Sequence, residues 1–439
     1  MNPEFQRNLW QEWTRPRLTS AFAALGAILV LAWLANGRLP GAITANAALG
    51  CIAIFTVAWG AHLCGRSLID ELRSRTWDQQ RMSALSPWRM LWGKLLGAPA
   101  VAWACGGVAA GVYLLSVAPG SEALWMLLAL TAGAVACHAG ALIGGLMLAQ
   151  RGQPAGMSVS LRLAATLGLY AVGSALFKSV EGVQHWYGFD FPSLAFSACV
   201  LAALAGWLVF GSYRLMCDEL KVRTRPWALG GFIGFVAVFY AGWLYGPNTT
   251  PLAWVTQICT LGFCGALLAA YVCAMAFGTD PLMPRRLLGY AARGLWRRVA
   301  EEAPLWTVAA AYALPLAVLA GVLGGGQLAI EKTVVHLTGG GALALLLYAT
   351  RDLAVLFGIA CRAPRRGVET SQLIYLALAY WLLPSIASLA GGETLSLLLR
   401  PDPERALSAV AVLCAHALLA LWWARQMWGQ RLGEQDAQN

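Results

Sequence analysis

Two places in this sequence hold charge where charge could do work. The stretch from Gly65 to Gly97 carries Arg66, Arg73, Arg75, Arg81, Arg89 and Lys94, six of the 31 Lys and Arg residues, interleaved with Asp70, Glu71 and Asp78. The second place is Arg351-Asp352, about half-way along an apolar run at 339–360. An ionisable residue in hydrocarbon costs about 2.5–3.5 kcal/mol on insertion scales and usually marks a pathway or a helix interface. The pair therefore reads either as part of a transport or gating pathway or as a structural link between helices. Neighbouring helical residues diverge by about 100°, so Arg351 and Asp352 are expected to find separate partners. Other chemistry is missing. Gly93-Lys94 is followed by Leu95 with no Gly-rich turn before it, so there is no phosphate-binding loop. Neither a His-Glu-x-x-His helix nor a Gly-x-Ser-x-Gly elbow occurs, and acids are too scarce in the apolar runs for a proton relay. The 11 Cys include no Cys-x-x-Cys pair and fall in apolar runs or at their inner ends, while His62, His138 and His416 stand isolated. Small-hydrophobe packing accounts for the Cys, no metal site is expected, and the chain is not read as an enzyme.

The elements that must position these charges are membrane helices. Hydrophobic residues make up 59% of the 439 and charged ones only 12%, with a mean hydropathy of +0.61, against about a quarter charged in soluble proteins. A helix needs about 20 mostly apolar residues to cross the hydrocarbon. Runs of that kind stand at about 19–36, 41–64, 97–118, 121–149, 158–177, 193–213, 227–246, 252–277, 304–326, 339–360, 372–390 and 406–424. The fold expected is an all-α polytopic membrane protein of about 12 spans. With both termini placed in the cytoplasm, only Arg38, Lys178, Lys332, Arg400 and Arg405 of the 31 basic residues fall outside, as the positive-inside rule demands. Orientation and anionic lipid explain the net charge of +10 without nucleic acid.

Between the spans the chain has its own signals. Residues 1–18 read as a helix in the membrane interface, capped by Asn2-Pro3, with Phe5, Leu9 and Trp13 on one face and Glu4, Arg7 and Glu12 around the others, ended by Pro16. In the loop 65–96, Leu68, Ile69 and Leu72 mark a first amphipathic helix, and Ser86-Pro87 supplies an N-cap and first position for a second. The loop 278–303 reads as one basic amphipathic helix with the stripe Leu287, Ala291, Leu295 and Val299. Two readings of its Arg285, Arg286, Arg293, Trp296 and Arg297 stay open: a second coupling element, or contact with lipid headgroups.

Features recur at a distance. Arg89 to Lys94 precedes the third run and Arg293 to Arg298 the ninth; Ala149-Gln150-Arg151 with Gly156 follows the fourth, and Ala360-Cys361-Arg362 with Gly367 the tenth. Each half has its longest outer loop between its fifth and sixth runs, at 179–192 and 391–405. The expected organisation is two parallel six-helix repeats, 19–213 and 227–424, joined by a cytoplasmic linker at 214–226 and followed by a tail at 425–439.

The order Glu71, Arg75-Thr76, Leu85-Ser86-Pro87 and Gly93-Lys94 resembles the loop between the second and third membrane helices of type-2 ATP-binding-cassette exporter permeases. That family commonly reads Glu, three residues, Gly-Thr, a Pro-containing turn and Gly-Lys; here Arg75 stands where Gly is frequent. The resemblance implies a permease of a bacterial cytoplasmic membrane, both transmembrane halves fused, whose loop receives the motion of separate ATPase subunits. Glu71, Arg75, Thr76, Asp78, Arg81, Ser86, Pro87 and Lys94 would carry that coupling, with Glu71, Arg75, Asp78 and Arg81 as an exposed docking surface. ATP and Mg would bind in the partner, and the Ala, Leu and Gly-rich spans fit an amphipathic or lipid-like substrate. The alternatives are a secondary carrier of the major facilitator type, and a membrane scaffold in which Arg351-Asp352 is an interface pair.

Overall fold

A computed structural model describes residues 2–83, 85–150, 182–224, 226–246, 249–276, 282–324, 326–330, 333–337, 339–362, 368–389 and 406–436. These residues are mostly helical. Among the described residues, ten helices are long and apolar enough to cross a membrane, or eleven if a pair bent by 53°, Pro87–Gly97 and Ala100–Ser116, counts as one span. The run expected at 158–177, the outer loop 391–405, and Arg151, Gly156 and Gly367 of the second recurring feature lie outside the described residues. The chain divides into two compact units, Met1–Gln184 with Asp190–Thr224, and His185–Phe189 with Arg225–Asn439.

The first unit holds α1 (Pro3–Glu12), α2 (Arg15–Ala35), α3 (Ala42–Arg73), α4 (Trp77–Arg81), α5 (Pro87–Gly97), α6 (Ala100–Ser116), α7 (Ser121–Gln150) and α8 (Ser193–Glu219). Small residues let these helices approach. Ala45, Ala48 and Cys51 of α3 meet Val101, Cys105 and Ala109 of α6, with Leu25 and Leu29 of α2 closing the cluster. Where a bilayer offers no hydrophobic drive between helices, such stripes give close van der Waals packing. Large apolar side chains such as Leu115 and Val30 point outward and stay exposed.

Two sequence expectations are corrected here. Pro16 does not end α1, which stops at Glu12; it sits in the first turn of α2, where its missing N–H costs nothing. Leu68, Ile69 and Leu72 do not start a helix of their own. They continue α3, which runs unbroken to Arg73. The described residues fit the expected all-α class and add a short hairpin: β1 (Val183–Trp186) and β2 (Phe189–Pro192) pair, with Tyr187 and Gly188 both at positive φ in its turn, the backbone such two-residue turns require.

The second unit holds α9 (Trp227–Leu244), α10 (Pro251–Ala276), α11 (Leu282–Ala292), α12 (Trp296–Glu302), α13 (Leu305–Val322), a hairpin of β3 (Gly326–Ile330) and β4 (Thr333–Leu337), and α14 (Gly339–Arg362). After these come α15, Val368–Ala377 continued to Leu389, and α16 (Ala406–Asp436). Ala266, Ala270 and Ala274 of α10 pack with Ala309, Ala313 and Ala317 of α13 in two adjoining clusters. Spacing by four places each set on one helix face.

The loop 278–303 is not one helix. α11 ends at Ala292, Gly294 takes φ +70, and the carbonyl of Tyr290 accepts the N–H groups of Arg293 and Leu295 before α12 begins. A left-handed glycine just past a helix end is a C-terminal stop. The recurring hexamers therefore differ locally: Arg89 to Lys94 lies within α5, whereas Arg293 to Arg298 straddles a break.

Candidate functional site

The charged stretch of the first unit is organised around a lysine with no exposed surface. Ser86 caps α5, its hydroxyl accepting the Arg89 N–H at 3.4 Å, with Pro87 in the first turn. From Gly93 to Gly97 the helix loosens into a π turn. Helix α1 lies against this segment, and a Cβ on Gly93 would stand 2.4 Å from Cγ of Glu4, on Gly97 3.1 Å from Cβ of Asn8. Asn2 donates to the Arg89 carbonyl at 2.6 Å and Asn8 to the Glu4 carbonyl at 2.9 Å and its carboxylate at 3.0 Å. The buried residues of α1 are Glu4 and Asn8, so the helix docks by its polar face and leaves Trp10 and Trp13 exposed. Replacing Gly93 with Ala forces α1 away. We expect a loss of about 1–3 kcal/mol, as for other overpacked contacts, read as a lower melting temperature together with faster proteolysis after residue 12.

Lys94 Nζ lies 2.5 Å from Oε2 of Glu71 and 3.1 Å from Oε1 of Glu4. Arg7 bridges the same acids, at 2.8 Å from Glu4 and in contact with Glu71. Two cations and two anions thus balance. The ammonium also sits 5.5 Å from the centre of the Trp77 ring, whose indole N–H donates to Glu219 at the end of α8 at 3.3 Å; Arg81 reaches the same oxygen at 3.3 Å. Trp77 is a shared wall between two charge clusters.

Of the eight residues expected to carry coupling, Arg75, Thr76, Asp78, Arg81 and Ser86 are exposed, Pro87 is half-buried, and Glu71 and Lys94 are buried. The expectation that Glu71 belongs to an exposed docking surface is corrected. Its carboxylate is committed to Lys94 and Arg7, so reversing its charge would place three cations around one acid.

Arg75 has φ +58. Its N–H bonds the Leu72 carbonyl and the Thr76 N–H the Glu71 carbonyl, the Schellman pattern in which the left-handed position is usually Gly. Left-handed backbone costs an L-residue about 1–2 kcal/mol, partly offset by the extra unfolded-state freedom of Gly. Arg75→Gly is expected to raise stability by up to about 1 kcal/mol and Arg75→Val to lower it, as thermal unfolding in detergent will show.

The second unit centres on Asp352, which is fully buried. Its Oδ1 accepts from Arg351 Nε at 2.8 Å and Tyr375 at 2.7 Å, its Oδ2 from Tyr271 at 2.7 Å and from Tyr380. The expectation that the adjacent pair could not meet is corrected: the long arginine side chain curls round the helix and closes the gap its Cβ direction opens. Its guanidinium then lies 4.9 Å from the Tyr348 ring and 5.4 Å from the Tyr380 ring. Tyr375 and Tyr380 are five residues apart and would diverge by about 140° on a regular α-helix. A π turn at Leu378–Leu382 has a five-residue hydrogen-bond step and returns both hydroxyls to one carboxylate.

A third buried polar group involves His138 of α7, which donates from Nε2 to the Thr56 carbonyl at 2.8 Å. Thr56 lies in the π turn Ile52–Trp59 of α3, and Gly60 leaves the imidazole its space, since a Cβ there would be 2.4 Å from Nε2. Each of the three π turns among the described residues thus meets a buried polar group, and π turns occur mostly at functional positions.

No protein family, curated protein or solved structure matches this chain.

Glu4, Arg7, Asn8, Trp77, Glu219 and the three tyrosines on Asp352 escaped the sequence reading. Two signals were available for the first group: Gly93-x-x-x-Gly97, which marks a close helix approach, and the acid and amide of Glu4-x-x-x-Asn8, which spacing by four places on one face of α1.

Proposed function

We propose that this chain is the membrane-spanning permease of an ATP-driven exporter. In this reading it has about twelve spans in two parallel six-helix halves and lies in a bacterial cytoplasmic membrane with both termini inside. Two separate ATPase subunits bind ATP and Mg, and an amphipathic or lipid-like substrate is carried across the membrane. The observation that carries the reading is the bracing of residues 71–94 by Lys94, Glu71, Glu4 and Arg7. A loop that relays a push must be stiff, and a buried, charge-balanced cluster ties the loop, α1 and the start of the third span into one body. The left-handed backbone of Arg75 supports it further, since that is a conformation Gly adopts without cost and position 75 is where the family often has Gly. The exposed residues Arg75, Thr76, Asp78, Arg81 and Ser86 then face the ATPase, and Glu71 and Lys94 hold that surface in place.

The secondary-carrier reading keeps one observation in its favour, the buried Arg351-Asp352 pair within a candidate span, because ion-coupled carriers use such residues. Purification from the native membrane decides between them. An ATPase subunit that co-purifies, and whose hydrolysis loses its coupling in Arg75→Glu with Asp78→Arg while the chain stays folded, supports the permease. Transport by the chain alone, driven by an ion gradient with no nucleotide, would sink it.

A further inference from the structure

We propose that the segment 282–302 of the second unit is a docking surface for the headgroups of anionic membrane lipids. Neither α11 nor α12 has a fully buried residue, and only Met283, Pro284, Leu287, Tyr290, Ala291, Val299 and the two acids are even half-buried. Arg285, Arg286, Arg293, Arg297 and Arg298 are all exposed, against two acids in the segment, Glu301 and Glu302, which are half-buried. Glu301 pairs with Arg297 at 2.9 Å. Leu288, Leu295 and Trp296 stand exposed among the arginines, with Trp296 at 67%.

Position selects the occupant. The segment begins six residues after α10 ends at Ala276, and α13 begins three residues after the segment ends at Glu302. Both neighbours are long and apolar enough to span a membrane, so the segment is tethered at bilayer-surface level at both ends. Arginines that bind phosphate, mixed with Leu and Trp that enter the acyl boundary, are the composition of a helix lying in an interface. Basic residues at that level are drawn to anionic lipid and are screened by salt. The Gly294 break suits this role, because two short helices follow a surface where one straight rod would leave it.

The proposal rests on the reading of the chain as membrane-embedded, and the experiment separates the two. The full chain is reconstituted into lipid nanodiscs of phosphatidylcholine alone, or with about 40% phosphatidylglycerol, and amide hydrogen exchange is followed across 282–302. Failure to enter either disc refutes the membrane reading. Given insertion, exchange in this segment should slow at least about tenfold in the anionic discs, and the effect should fade in high salt. Arg285→Glu with Arg286→Glu and Arg293→Glu should abolish the slowing while leaving exchange in α10 and α13 unchanged. Equal exchange in both discs overturns the proposal. So does equal slowing by inorganic phosphate in phosphatidylcholine discs, or protection that arises only when an ATPase subunit is added. Should the triple variant fail to insert, native mass spectrometry of the unaltered chain decides: retention of phosphatidylglycerol no greater than that of phosphatidylcholine overturns it too.

Discussion

Lys94→Met lowers the stability of the chain by about 3–5 kcal/mol, the usual cost of removing one partner from a buried ion pair. The methionine fills the space, so packing contributes little to the loss. What remains is Glu4 and Glu71 facing each other with only Arg7, which is partly exposed, to balance them. The second substitution in Lys94→Met with Glu71→Gln removes the excess anion and should recover at least half of the loss. A melting curve in detergent reads both, and limited proteolysis shows whether α1 leaves with the cluster. Equal stability for Lys94→Met and the unaltered chain would mean that the cluster braces nothing.

The second large effect belongs to Asp352→Asn. Asp352 accepts four hydrogen bonds, from Arg351 and three tyrosines on two other helices. Asparagine keeps one acceptor oxygen and turns a donor toward hydroxyls that already donate, and it leaves the arginine without its counter-charge. We expect about 3–5 kcal/mol of destabilisation, against about 1.5–3 kcal/mol for each Tyr→Phe. If Asp352→Asn melts within about 1 kcal/mol of the unaltered chain, in the range of a neutral hydrogen bond, the carboxylate is not what joins α10, α14 and α15.

The spans were legible because hydropathy is a sum over some twenty residues and tolerates local error. Single-residue signals worked where the chemistry is local: Asn2-Pro3 and Ser86-Pro87 start helices as their types dictate. The faces were less legible. Phe5, Leu9 and Trp13 mark the apolar face of an interfacial helix, but that pattern does not say that Glu4 and Asn8, on another face, turn inward and dock it. Glu71 likewise looked like one more charge in a charged loop. Its burial depends on Lys94, 23 residues on, and on Glu4 and Arg7 near the N-terminus, a meeting that no local window contains.

The loosened turns at Ile52–Trp59, Gly93–Gly97 and Leu378–Leu382 bear on how this chain can be mapped. A helical wheel counts 100° per residue without pause, and each wide turn absorbs about one residue more than the wheel allows. Any stripe drawn through α3, α5 or α15 therefore slips by roughly a quarter of a turn on passing the wide region. Cysteine scans of these helices should be phased separately on either side, or residues such as Glu71 and Tyr380 will be assigned to the wrong neighbour.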